Sequence, residues 1–127
     1  MHALLVTHGQ LGEALLKSAR QIYDADASVD VLSNDGRGAE ELVAAVADWL
    51  CAHPGPALLM VDVGGGSCGI AARRAAASRE ECWILGGVNL AMLLTFLGNQ
   101  GELEGEALVT KILDRALNAI DRLELES

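Results

Sequence analysis

Short apolar runs alternate with longer amphipathic stretches along the whole chain. The run ALLVT, Ala3 to Thr7, has the length and character of a buried strand, and Leu11, Leu15, Ala19 and Ile22 then recur at helical spacing. VDVLS, Val29 to Ser33, alternates apolar and polar positions, which predicts a strand nearer the edge of a sheet. After the chain break NDGRG, the segment Glu40 to Cys51 places Leu42, Val43, Val46, Ala47 and Leu50 on one helical face, and Pro54 and Pro56 end it. ALLMVDV, Ala57 to Val63, is the most hydrophobic run and predicts the central strand. A glycine cluster follows, and Ile70 to Ser78, rich in alanine and arginine, reads as a third helix. CWILGGV, Cys82 to Val88, is a fourth strand. Asn89, a good N-cap, introduces a helix to Leu97, and a last helix runs from about Glu106 to about Leu117. The tail IDRLELES alternates Leu123, Glu124, Leu125 and Glu126 with the period of a strand.

Four strand-helix units in regular alternation predict a three-layer α/β/α domain with a mainly parallel four-stranded sheet, covering residues 1–127 as one unit. The 51% of hydrophobic residues suffices for a core, and the 3% of aromatics means that Ala, Val, Leu and Ile must build it. Eighteen acidic against nine basic residues give a net charge of −9, which argues against nucleic acid or anionic lipid as a partner. The start MHALLV lacks a basic region and turns polar at Thr7, no apolar run is long enough to span a bilayer, and the three cysteines form no CxxC pair. A cytoplasmic protein with reduced thiols is the expectation.

In an open parallel sheet, functional groups lie beyond the carboxyl ends of the strands. Three segments fall there, THG, DVGGGSCG and GGVN, so that His8, Asp62, Ser67 and Asn89 can converge. GGGSCG, Gly64 to Gly69, satisfies the dinucleotide pattern GxGxxG and the nucleophile-elbow pattern GxSxG, but the context fits neither. The first wants an acidic residue at the end of the next strand, where GGVN stands; the second wants a histidine after the serine, whereas His2, His8 and His53 all precede Ser67. What remains is a turn at a helix N-terminus whose N–H groups, at Gly65, Gly66 and Ser67, favour an anion. Asp62, at the end of the most buried strand, requires a partner and would orient an imidazole beside it.

These parts suit a histidine that attacks a phosphoryl group and holds it, with amide donors spreading the charge. A histidine acting as general base in a hydrolysis would look similar. One histidine and one aspartate are too few ligands for a metal, and no cofactor is implied. His2 and His53 read as solvated surface groups, Cys68 as a small packing residue, Met60 and Met92 as core filler, and Trp49 and Trp83 as packing.

VTHGQLGEALL, MVDVGGGS and GGVNLAML, in this order and spacing, together resemble the mannose-type enzyme IIA domains of the bacterial phosphoenolpyruvate-dependent sugar phosphotransferase system, over nearly the whole chain. The resemblance implies that His8 accepts a phosphoryl group from the phosphocarrier HPr and donates it to a IIB component, with an indirect link to membrane permease subunits. It implies that Asp62 orients His8 and that Ser67 contacts the phosphoryl group. It further implies a homodimer in which the C-terminal segment is exchanged as an antiparallel edge strand. The family pattern has a Thr-Trp pair after the aspartate and a proline after the serine, where this chain has Val63-Gly64 and Cys68. Those departures bear on the partner surface and the sugar class, and leave a regulatory branch without transport open. A small nucleotide-binding or hydrolytic enzyme using the glycine turn, and a non-catalytic module of the same fold, are the alternatives.

Overall fold

Two strands apolar at every buried position need cover on both faces, and they become the inner strands of the sheet. The computed structural model describes residues 1–126. Its elements run β1 (His2–Thr7), α1 (Leu11–Ile22), β2 (Val29–Ser33), α2 (Ala39–Ala52), β3 (Ala57–Val61), α3 (Ser67–Ala75), β4 (Cys82–Leu85), α4 (Leu90–Gly98) and α5 (Gly105–Asn118). The sheet order is β2-β1-β3-β4 with every pairing parallel. The predicted α/β architecture is thus observed, with VDVLS on one edge.

Alternation along the inner strands divides the core in two. Ala3, Leu5, Leu58 and Met60 point to the side covered by α1, α4 and α5, where Phe96, Leu108 and Ile112 are buried. Leu4, Val6, Leu59 and Val61 point to the other side and meet Leu42, Val46 and Leu50 of α2 and Cys68, Ala71 and Ala72 of α3. Leu, Val and Ile dominate both layers, each worth about 2 kcal/mol when fully buried, with Phe96 the largest side chain in the core.

Three local expectations change. In α1 the buried residues are Gly12, Leu16 and Ala19, while Leu11 and Ile22 are 44% and 63% exposed. The helix turns Gly12 to the sheet because only a missing side chain allows that approach: a Cβ there would lie 2.8 Å from Thr7 Oγ1 and from Val31 Cγ1. Helix α3 begins at Ser67 rather than Ile70, since Gly66 takes the extended N-cap conformation. His2 and His53 are not simply solvated. His2 Nδ1 lies 2.6 Å from Ser28 Oγ, the His53 ring stacks on Trp49 at 4.3 Å, and the two imidazoles meet edge to face.

Residues 120–126 form no strand within this chain, and Ile120, Leu123 and Leu125 are exposed. Ser127, the end of that segment, lies outside the described residues. Among the described residues no helix is long and apolar enough to cross a membrane.

Candidate functional site

The chain leaves β1 for β2 on one side and returns to place β3 on the other, so the loops that follow β1 and β3 diverge to opposite faces of the sheet. The crevice between them is where such sheets bind ligands. His8 follows β1 directly and Asp62 follows β3 directly. The strand register pairs Val6 with Val61, which brings these two side chains together across 54 positions of sequence.

The loop after β1 is held from several sides. Thr7, fully buried, accepts the Gly12 N–H through its hydroxyl at 2.8 Å. The Gly9 N–H donates to Asn34 Oδ1 at 3.1 Å, and Ser33 Oγ donates to the Gly9 carbonyl at 2.7 Å. None of Thr7, Ser33 and Asn34 is singled out by sequence, because their roles depend on which loops the fold makes neighbours.

Asp62 accepts at both oxygens. Oδ2 receives the His8 backbone N–H at 2.9 Å and lies 2.6 Å from His8 Nδ1, and Oδ1 receives the Val63 N–H at 2.8 Å. Burial acts to raise the pKa of this carboxyl, but the hydrogen bonds from the His8 backbone and ring and from Val63 outweigh it and hold Asp62 below its ordinary range. An ionised carboxylate only accepts, so Nδ1 carries the hydrogen of this pair and the neutral ring keeps its lone pair on Nε2. That nitrogen lies 3.1 Å from Ser67 Oγ, at the first residue of α3.

No side chain caps the N-terminus of α3, so its first-turn N–H groups and the positive end of its dipole stand beside Nε2. Among the three predicted anion donors, the Gly66 N–H is already engaged by the Val63 carbonyl at 3.0 Å. Ser67 contributes its hydroxyl. Asn89 does not join the cluster: its side chain caps α4 by accepting the Met92 N–H at 3.0 Å. Cys68, read from sequence as packing, is fully buried and also lies against the ring, with Sγ 3.7 Å from His8 Nδ1. Burial first, and then the Asp62 charge, push its thiol up to about 11, so the helix terminus does not activate it. His8 itself is 47% exposed, open enough to meet a group carried by another macromolecule. A broad groove along α1, lined by Glu13, Leu16, Lys17, Arg20 and Gln21, includes none of these residues.

An exposed histidine is thus braced at one nitrogen by a carboxylate and aimed with the other at a helix N-terminus. Residues 2–113 match the EIIA-Man family, described as the PTS system fructose IIA component. The chain belongs to this EIIA-Man family. Its fold is that of the mannose/sorbose specific IIA subunit of the phosphotransferase system from Enterococcus faecalis, at 24% identity over 99% of this chain and 96% of that one, with a TM-score of 0.84. It is also that of the phosphotransferase system component EIIA from Streptococcus agalactiae, at 19% identity over 95% of both chains and a TM-score of 0.86. No curated protein matches the sequence. EIIA-Man membership supports a IIA role in the phosphotransferase system for this domain.

Proposed function

We propose that the EIIA-Man domain, residues 1–127 acting as one unit in the cytoplasm, is a phosphohistidine carrier in which Nε2 of His8 takes a phosphoryl group from phospho-HPr and passes it to a IIB component. One observation carries this reading: His8 is tied through Nδ1 to Asp62 at 2.6 Å while Nε2 faces Ser67 Oγ at 3.1 Å. In the transfer, the Nε2 lone pair forms a bond to phosphorus as the bond to the donor imidazole breaks, and the donor leaves as a neutral ring. Asp62 balances the positive charge that appears on the His8 ring, and Ser67 with the α3 N-terminus receives the phosphoryl oxygens. Return of the group to a second imidazole or a thiolate reverses the same steps.

Incubation with phosphoenolpyruvate, enzyme I and HPr should add one phosphoryl group per chain by intact-mass analysis. The label should be lost in mild acid, where the ring is protonated into a good leaving group, and should persist in alkali. Added unphosphorylated HPr should recover part of it. Acid-stable label would point to Ser67, and alkali-labile label to an acyl phosphate on Asp62; either result rejects His8 as the carrier.

Asp62→Asn should slow uptake by about tenfold or more without abolishing it, because an amide can still accept from Nδ1 but carries no charge. Rapid-quench kinetics with phospho-HPr measure this, and an unchanged rate removes Asp62 from the mechanism. The same variant reports on stability. A depressed carboxyl contributes stability that is complete above its unfolded value near 3.8 and drains away as pH falls through the lower folded value. Wild type and Asp62→Asn melting temperatures should therefore converge toward low pH and separate toward neutrality.

We further propose that the domain is a homodimer. Leu113 and Leu117 of α5 and Ile120, Leu123 and Leu125 of the tail are all exposed, and β4 is an edge strand that a strand from a second copy could extend. Light scattering at working concentration should give twice the chain mass; a monomer rejects the exchanged strand.

A further inference from the structure

We propose that His8 Nδ1, Asp62 Oδ2 and Cys68 Sγ form a binding site for a thiophilic divalent cation such as Zn²⁺, and that its occupancy blocks phosphoryl uptake. The three residues come from the β1 loop, the end of β3 and the first turn of α3, and a ligand atom of each lies within 4.8 Å of those of the other two. Counting only a histidine and an aspartate leaves too few ligands; burial of Cys68 beneath the ring supplies the third. The Nδ1 to Sγ separation of 3.7 Å is close to the edge of about 3.5 Å expected between nitrogen and sulfur ligands of a tetrahedral zinc. Nδ1 and Oδ2, now 2.6 Å apart with a hydrogen between them, need to part by about 0.7 Å when a cation takes that hydrogen's place. A tetrahedral ion would complete its shell with water at the fourth position.

One nitrogen, one thiolate and one carboxylate oxygen select a borderline-soft ion over Mg²⁺ or Ca²⁺, which prefer all-oxygen shells. The balance of the binding step is simple. The cation bonds Nδ1, Oδ2 and Sγ, and the Cys68 thiol releases its proton to solvent. The ring hydrogen displaced from Nδ1 reappears on Nε2. This last transfer is what blocks the chemistry, since the Nε2 lone pair that attacks phosphorus now carries a hydrogen, which Ser67 Oγ accepts instead of donating. The cation also neutralises Asp62, so no charge remains to balance a phosphorylated ring. The site stands on the ligand geometry, whereas its effect on uptake rests on the carrier role proposed above.

Co²⁺ is the probe for the site. Titration of the full chain should give one ion per chain with a thiolate-to-cobalt charge-transfer band, displaced by Zn²⁺ and unaffected by Mg²⁺. The band should survive Cys51→Ser, which removes the exposed thiol, and vanish in Cys68→Ala. The near-isosteric Cys68→Ser gives the same answer if the alanine variant loses structure. For the second half, protein loaded with Zn²⁺ and freed of excess should take up label from purified phospho-HPr at least about tenfold more slowly than metal-free protein, and EDTA should restore it. Cys68→Ala should take up label equally with and without Zn²⁺. Absence of the band, or a band that survives Cys68→Ala, overturns the site. A band with undiminished labelling overturns the block. Failure of the metal-free protein to label overturns the carrier role and leaves the band as evidence for the site.

Discussion

His8→Gln should lose phosphoryl uptake by at least about a thousandfold, the scale of removing a nucleophile, and its intact mass should stay at the unmodified value after exhaustive incubation with phospho-HPr. The glutamine amide can reach toward Asp62 or Ser67, but its nitrogen has no lone pair available to attack phosphorus. The fold should be nearly untouched. His8 lies at a strand end, half exposed, and its ring contributes one of three hydrogen bonds to Asp62, the other two coming from the His8 and Val63 backbone N–H groups, which the variant keeps. Loss of that single bond costs about 1 kcal/mol, or about 4 °C in melting temperature for a domain of this size. Full labelling of His8→Gln would reject the assignment outright. A collapse in melting temperature would show instead that His8 is a structural residue whose ring the loops depend on.

The contrast between a large functional loss and a small structural one follows from the division of labour at the site. Residues that hold the loops are buried or point inward, such as Thr7 and Asp62, while the group that does the chemistry is presented to solvent at the switch point of the sheet. That division was legible in part. VDVLS, Val29–Ser33, is predicted residue for residue because an edge strand carries polar residues, here Asp30 and Ser33, among its apolar ones. His8 and Asp62 could be paired from sequence because both end strongly apolar strands, and the strand-end rule then needs only that the two strands be neighbours.

What was not legible depends on atoms that hydropathy does not record. The inward face of α1 passes through Gly12, which has no side chain to register as apolar, so the pattern pointed to Leu11 and Ile22. The latch from Ser33 and Asn34 to Gly9 joins two loops whose adjacency exists only once β1 and β2 pair. The contact of Cys68 with His8 was hidden by the phase of α3: starting the helix at Ile70 leaves Cys68 in a turn, whereas starting it at Ser67 turns the thiol under the imidazole.

The same early start makes Gly69 the most sensitive position of the glycine cluster. It lies in the first turn of α3, where the chain from Asp62 doubles back so tightly that a Cβ on Gly69 would fall 2.1 Å from the Gly64 carbonyl oxygen, 2.7 Å from Gly64 C and 2.9 Å from Val63 O. These are backbone atoms, so no rotamer change relieves the overlap, and either the helix must lift from the strand or the turn must open. Gly69→Ala should cost about 3 kcal/mol, at the upper end of overpacking penalties, and lower the melting temperature by about 12 °C. With a stability of about 5–15 kcal/mol for a domain of this kind the chain still folds, so its chemistry can be measured. Uptake should fall as well, because the segment that must move carries Val63, whose N–H braces Asp62 Oδ1, and Ser67, whose hydroxyl faces Nε2. Gly98→Ala is the matched control. That glycine also lies in a helix, yet a Cβ there meets nothing within 4 Å, and the change should leave stability equal or higher by up to about 1 kcal/mol. If Gly69→Ala melts with the wild type and labels at the wild-type rate, the close approach of α3 to the β3 turn is absent in solution. The glycines of GGGSCG would then serve the bound anion rather than the packing of the helix.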